Sequence, residues 1–198
     1  RIITDLDLVL DERTGDVVSA VALNRTVTRD LPPEPNMAAW VEEWSTRAAG
    51  IAEGIVGTLA TGVTLTRAPG ANGDSSLGRV IADAQRDATR SLDTGGAQVA
   101  FVNSSGIRAD LSYDNTYASE APGQITYGEA FAVQPFGNLL MTMTLTGSQI
   151  LALLEQQWCV DGQPRDGVDK ILSVSDGFAY AWNAQTPACE GRVVADSV

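Results

Sequence analysis

The order of apolar and polar positions divides the chain into an extended beginning and a mixed remainder. Residues 2–10 and 17–28 have strand patterns around a polar turn at 11–16, which predicts a β-hairpin. A proline-rich LPPEP segment follows, and Asn36 is the expected cap of a helix with one apolar stripe. We interpret that stripe as a set of anchors for a core or a domain interface: Met37, Trp40, Val41, Trp44, Ala48 and Ile51.

Beyond residue 54, short apolar runs mix with helical patterns. The runs predict strands at 55–60, 97–102, 138–146, 171–174, 178–183 and 191–195, and residues 160–170 are polar and predict a loop. Because strands and helices mix without strict βαβ alternation, the predicted fold class is α+β, a mixed β-sheet with packed helices.

Two longer helices are expected in this part of the chain. The first, at 76–92, would be capped by Asp74, Ser75 or Ser76 and buried through Leu77, Val80, Ile81, Ala84 and Ala88. The second, at 147–158, begins with a capping box of Thr146 and Gln149.

The stretch 124–138 combines a helix start with a constrained loop. Thr126 and Glu129 have capping-box spacing, and Pro135 must end the turn that they start, because it lacks an N–H. Phe136 then lies between a proline and a glycine, with Asn138 close by. From this stretch alone, the ring is either a core aromatic under a loop or a stacking face for a planar ligand.

Composition narrows the chemistry. The 198 residues carry a net charge of −12, which argues against binding nucleic-acid polymers, and no apolar run is long enough to span a membrane. The absence of histidine removes serine triads and histidine-ligated zinc. We predict that Cys159 and Cys189 form a disulfide, which favours export, and the alternative is two buried thiols.

A polar loop after the predicted strand at 97–102 is a second candidate site. It contains Asn103, Ser104, Ser105 and Gly106, with Arg108 two residues further on. Arg108 offers a planar fork for hydroxyls, carboxylate or phosphate, and the alternative is an ion pair with Asp110 or another acid.

Four segments together resemble the C-terminal domain of the 5'-nucleotidase / UDP-sugar hydrolase family. They are SSLGRVIADAQRDAT, AFVNSSGIRADL, GQITYGEAFAVQPFGNLLMTMTLTGSQILALLEQ and SDGFAYAWN, and their order and spacing agree with the family over residues 55–195. The opening hairpin is similar to the closing strands of that family's N-terminal metallophosphatase domain. The resemblance implies three parts: that hairpin at 1–30, a linker helix at 31–54, and an incomplete substrate-binding domain at 55–198.

The resemblance also implies a function. In such proteins the N-terminal domain carries two divalent metal ions, and the C-terminal domain holds the nucleoside. This chain would then bind a nucleotide or nucleoside for an exported phosphohydrolase that is secreted, periplasmic or cell-wall associated. It would bind no metal itself, would work with its own metallophosphatase domain, and would be inactive alone. Nucleoside monophosphates, cyclic nucleotides, UDP-sugars and NAD all stay open as substrates.

Six residues are carried over as substrate contacts: Phe136, Asn138, Asn103, Gly106, Arg108 and Arg67. By resemblance, Phe136 is one of two rings that sandwich the base, and the two asparagines contact base or sugar edges. Arg108 would hold ribose hydroxyls or the substrate's carboxylate-linked network, and Arg67 lies where some members have a further substrate-contacting arginine.

The chain departs from the family pattern in three places, of which the serines and the missing aromatic favour an alternative function. Ser104 and Ser105 replace two glycines of the family's asparagine-triglycine loop, and Ala71 stands where some members have a second arginine. The chain is also expected to end before the second stacking aromatic. The alternative is a non-catalytic docking or scaffold domain whose base pocket has decayed or been reused.

Overall fold

A computed structural model describes residues 1–165 and 171–198. The chain folds into two compact units, Arg1–Ala48 and Ala49–Val198. Helices and short strands mix along the sequence, so the predicted α+β class is confirmed. Part of the loop expected at 160–170 lies outside the described residues.

The first unit contains the predicted hairpin. Strand β1 (Ile2–Leu10) pairs antiparallel with β2 (Val17–Thr26), and the register shifts between Val9 and Leu10. At the turn, the Asp11 carboxylate accepts backbone N–H bonds from Arg13 at 2.8 Å and Thr14 at 2.9 Å. Every residue of this unit except Asp11 is exposed, so the hairpin buries almost none of its apolar side chains.

Helix α1 (Pro35–Ala52) follows the proline-rich segment. The expected cap was wrong. Asn36 lies inside the helix, and the Glu34 carboxylate accepts the Met37 N–H at 2.7 Å instead. Proline suits the first helical position, where an N–H would have no intrahelical partner. The tryptophans of the predicted stripe, Trp40 and Trp44, meet edge to face at 6.4 Å and are exposed.

The strands of the second unit are short and pair two by two. The pairs are β3 (Ile55–Thr58) with β7 (Gln124–Thr126), β4 (Thr64–Leu65) with β6 (Leu111–Ser112), β5 (Phe101–Val102) with β10 (Ser173–Val174), and β8 (Cys159–Val160) with β9 (Gln163–Pro164). All four pairs are antiparallel, so within the described residues the expected sheet is divided into two-stranded ladders.

The described part of this unit also contains the helices α2 (Ser76–Thr89), α3 (Tyr127–Val133) and α4 (Gly147–Glu155). Ser75 caps α2, and both predicted capping boxes are present at the starts of α3 and α4. As predicted, α3 is short and ends before Pro135.

The buried face of α2 differs from the predicted stripe. Val80, Ala84 and Ala88 are exposed, whereas Gly78 and Ala82 are buried. A Cβ at Gly78 would overlap the Ser173 side chain of β10, so the small residues of α2 allow the strand to approach closely.

Three strands predicted beyond residue 137 are absent or are reduced to a single bridge. Residues 138–146 contain no strand, and Leu139, Met141 and Met143 are highly exposed. The strands expected at 178–183 and 191–195 reduce to one bridge between Trp182 and Val193. An apolar run forms a strand only where a partner strand is present, and periodicity does not report the partner.

Two apolar clusters hold the second unit together. One is formed by Leu77, Ala82, Val102, Ile107, Leu111 and Val133. The other is formed by Leu154, Trp158, Ile171 and Val193. A disulfide joins Cys159 to Cys189 beside the second cluster, so the two cysteines are paired and not free thiols.

Candidate functional site

The loop after β5 is a tight turn capped by its own asparagine. Asn103 Oδ1 accepts the Ser105 N–H at 3.1 Å, and the Gly106 N–H donates to the Asn103 carbonyl at 3.0 Å. The Asn103 carboxamide oxygen therefore already has a partner in the unliganded turn. Its amide nitrogen makes no hydrogen bond within the described residues and is available to a ligand.

Arg108 connects this loop to the end of α3. Its backbone N–H donates to the Val133 carbonyl at 2.8 Å, and its Nη1 donates to the Ser105 carbonyl at 3.4 Å. No ion pair between Arg108 and Asp110 occurs in the described part of the chain, although the sequence left that pairing open. The remaining guanidinium N–H groups of Arg108 are thus unused among the residues described.

Phe136 lies on the loop that follows α3. The backbone N–H of Phe136 donates to the Gln134 carbonyl at 2.8 Å, which makes a narrow turn around Pro135. The ring is 46% exposed and belongs to neither apolar cluster, so it is not a core aromatic. Asn138, two residues further on, is also exposed.

The loop that carries Arg108 lies beside the end of α3, where the Phe136 loop begins. A Cβ built on Gly106 would lie 3.8 Å from Gln134 Nε2, and the Arg108 N–H bonds the carbonyl of Val133, the last residue of α3. The structure therefore brings Asn103, Gly106 and Arg108 onto a loop that adjoins the one carrying Phe136. This is the grouping that the sequence pattern could only suggest.

Arg67 is positioned by a different pair of strands. It follows β4, and its backbone N–H donates to Asp110 Oδ1 at 2.7 Å, while its Nη1 donates to the Arg108 carbonyl at 2.7 Å. Arg67 therefore contacts the Arg108 segment directly. Sequence reasoning considered Asp110 only as a partner for Arg108, and the β4–β6 register would have been needed to assign it to Arg67.

The rest of the 67–75 loop is held by a separate ion pair. Asp74 bonds Arg79 on α2, and this hydrogen bond, together with the negative charge of the carboxylate, raises the pKa of Arg79. The Asp74 carboxylate is therefore occupied by Arg79 of α2. Arg67 is the cation of this loop that stands next to the Arg108 segment.

A depression of about 610 Å³ lies elsewhere in the second unit. None of the six predicted contact residues lines it. Its walls include Asp74, Asp83, Phe178, Tyr180 and Trp182. Burial raises the pKa of the Tyr180 hydroxyl, which donates to Gln157 Oε1 at 3.1 Å.

Neither a metal site nor a membrane span was found in the part of the chain that the structure describes. No three histidine, cysteine or acidic residues there are grouped closely enough to hold a metal ion. No described helix is both long and apolar enough to cross a bilayer.

The fold defines a small α+β domain in which the Arg67 side chain bonds the Arg108 segment, and that segment bonds the end of α3 just before the loop of Phe136. The sequence profile of the family described as 5'-nucleotidase, C-terminal domain, matches residues 55–196. The chain belongs to the 5'-nucleotidase family through this domain.

Two relatives illustrate the family. The cell wall protein Lmo0130 of Listeria monocytogenes is 35% identical over 164 residues, which cover 78% of this chain and 20% of that protein. The NAD 5'-nucleotidase of Haemophilus influenzae is 28% identical over 142 residues, 70% of this chain and 21% of that protein. The chain thus spans about a fifth of the length of these curated relatives.

A solved structure agrees with the fold. The 5'-nucleotidase precursor from Thermus thermophilus matches with a TM-score of 0.58 and 27% sequence identity. The match covers 98% of this chain and 35% of that one.

Proposed function

We propose that residues 55–198 bind the nucleoside part of a nucleotide for a 5'-nucleotidase-type phosphohydrolase. Family membership supports the substrate class. The observation that carries the proposal is the exposed Phe136 ring on the loop that directly follows Val133, the α3 residue whose carbonyl accepts the Arg108 N–H. Stacking on a phenyl face supplies affinity for any base, and arginine and asparagine N–H groups supply orientation.

In this proposal the bond-breaking chemistry lies in a metallophosphatase domain outside the chain. Two divalent metal ions there would supply the activated water that attacks phosphorus. The chain itself would bind and orient the substrate, and residues 1–30 and 31–54 would be the end of that domain and its linker. We further propose an exported location, consistent with the cell wall protein among the relatives.

Nucleoside binding by a Phe136→Ala variant tests the stacking role. Loss of one stacking ring should weaken adenosine binding by about 5- to 150-fold, which corresponds to roughly 1–3 kcal/mol per base. Ligand-observed NMR or calorimetry with adenosine on the 198-residue chain would measure the effect, because both methods reach millimolar affinities.

A Phe131→Ala variant is the matched control. Phe131 is exposed to a similar degree, but its ring pairs with Tyr127 on α3 at 6.2 Å and does not lie on the Phe136 loop. We expect adenosine binding to be unchanged in this control. Equal affinities in the Phe136→Ala variant and the unmodified chain would remove the stacking role.

The serines of the Asn103–Gly106 loop favour a second function, that of a docking domain without nucleoside affinity. Ser104 and Ser105 form the tight turn where the family pattern has glycines. Nucleoside binding by a longer form that includes the metallophosphatase domain, but not by this chain, would indicate an incomplete pocket. Absence of binding in both would support the docking function.

A further inference from the structure

Asp110 lies at the point where the two arginines of the site meet. Strands β4 and β6 pair with Leu65 opposite Leu111, so the residues just after β4 face those just before β6. This register places Thr66 and Arg67 beside Asp110. The aspartate is thus brought to Arg67 by strand pairing, not by closeness in sequence.

The Asp110 carboxylate bonds both the backbone and the side chain of its neighbours. Oδ1 accepts the Arg67 N–H at 2.7 Å and the Thr66 hydroxyl at 3.5 Å, and it lies 3.9 Å from Arg67 Nε. Arg67 Nη1 in turn donates to the Arg108 carbonyl at 2.7 Å. The guanidinium is therefore held from two sides, by a charge and by a carbonyl.

This arrangement contributes little to stability, because the side chains of Arg67 and Asp110 are 52% and 44% exposed and exposed ion pairs are weak. The arrangement fixes the orientation of the Arg67 side chain. Arg67 Nη2 has no partner within the described residues, and the side chain that carries it is fixed beside the Arg108 segment. A preset donor loses less conformational entropy when a ligand binds.

We propose that Asp110 is a positioning residue that holds Arg67 ready for an anionic group of the bound nucleotide. Arg67 bonds the Arg108 backbone carbonyl, and two cationic residues joined in this way, in a chain of net charge −12, favour a phosphate over a neutral ligand at this point. The proposal rests on the proposed function for its ligand. The ordering of Arg67 by Asp110 does not depend on that ligand.

The Asp110→Asn variant separates the effect of the carboxylate charge from that of the hydrogen bond to the Arg67 backbone N–H. The amide oxygen of asparagine can still accept the Arg67 N–H, whereas the charge facing Arg67 Nε is lost. Asp93→Asn is the matched control, since it changes the net charge equally and the Asp93 carboxylate makes no hydrogen bond or ion pair among the described residues. Unchanged thermal unfolding would show that both variants fold.

The first measurement is made without ligand. The ¹⁵N relaxation of the Arg67 Nε–H group should show restricted motion in the unmodified chain and in Asp93→Asn. In Asp110→Asn it should approach that of Arg29, an exposed arginine of the first unit. Unchanged Arg67 motion in Asp110→Asn would overturn the proposal, whether or not the chain binds nucleotides.

The second measurement is a double-mutant cycle on the dissociation constant of AMP. Arg67→Ala should weaken binding by about 10- to 150-fold, as expected for loss of a charged hydrogen bond. Asp110→Asn alone should weaken it by about 3- to 10-fold, within the range for coupled neighbours. In the Arg67→Ala background, Asp110→Asn should have no further effect.

The cycle distinguishes the proposal from a purely structural role. If Asp110→Asn weakens AMP binding equally with and without Arg67, Asp110 does not act through Arg67 and the proposal is wrong. If the unmodified chain binds neither AMP nor adenosine, the proposed function fails for this chain. The relaxation measurement then decides the role of Asp110 by itself.

Discussion

Single polar side chains decide where the loops of the second unit run. The Asp110 carboxylate ties the end of β4 to the start of β6, and the Asn103 carboxamide closes the turn before Arg108. In each case a short side chain satisfies a backbone N–H that the short strands leave without a partner. The loops that carry the candidate site are therefore fixed by local acceptors more than by apolar packing.

Replacing the threonine of either capping box by alanine should destabilise the chain, but to different extents. Thr126 is 1% exposed, and its hydroxyl accepts the Glu129 N–H at 3.2 Å, whereas Thr146 makes the equivalent bond to Gln149 at 3.3 Å while exposed. We expect Thr126→Ala to cost about 1–2 kcal/mol and Thr146→Ala about 0.5–1 kcal/mol. Urea unfolding followed by circular dichroism measures both, and equal losses would contradict the role given to burial.

Sequence reasoning predicted the elements whose causes are local. The hairpin, α1 and the two capping boxes need only neighbouring residues, and all are present where the pattern placed them. The strand expected at 138–146 is absent, because a strand also needs a partner that spacing cannot reveal. The Arg67–Asp110 contact escaped prediction for the same reason, since it follows from strand register.

The close approach of α2 and β10 can be tested with a methyl group. In Gly78→Ala the added Cβ would overlap Ser173, and we expect a loss of about 1–3 kcal/mol from overpacking. Gly147→Ala at the start of α4 is the matched control, because a Cβ there meets no atom within 4 Å. That control should gain up to about 1 kcal/mol, since alanine restricts the unfolded chain. A neutral Gly78→Ala variant in thermal unfolding would show that the helix and strand can move apart freely.

The two units differ in how they are held together. The second has two buried clusters, whereas no residue of the first is buried, although its strands and helix follow strong sequence patterns. Periodicity predicted which elements form in the first unit, and it assigned the apolar stripe of α1 to a core or a domain interface; in the structure that stripe is exposed. An apolar period shows that a helix has a face that can be buried. Whether that face is buried depends on another surface that packs against it.

The disulfide should be the largest single contribution to the stability of the second unit. Cys159 and Cys189 are separated by 30 residues, and closing such a loop stabilises by about 3–4 kcal/mol in the chain-entropy model. Reduction should therefore lower the melting temperature by about 6–16 °C, at roughly 2–4 °C per kcal/mol for a chain of this size. Differential scanning calorimetry with and without reductant measures the shift.

The effect of reduction should be concentrated in the cluster beside the disulfide. Trp158 directly precedes Cys159, and it packs with Trp182 at 5.1 Å between ring centres. Amides of α4 and Trp158 should therefore lose hydrogen-exchange protection before those of α2 do. A variant with both cysteines changed to serine should melt at the temperature of the reduced chain and ignore reductant. The unmodified chain should not melt at the same temperature with and without reductant, and it should show no alkylatable thiols before reduction. Failure of either expectation would contradict the disulfide as the main stabilising bond of the second unit.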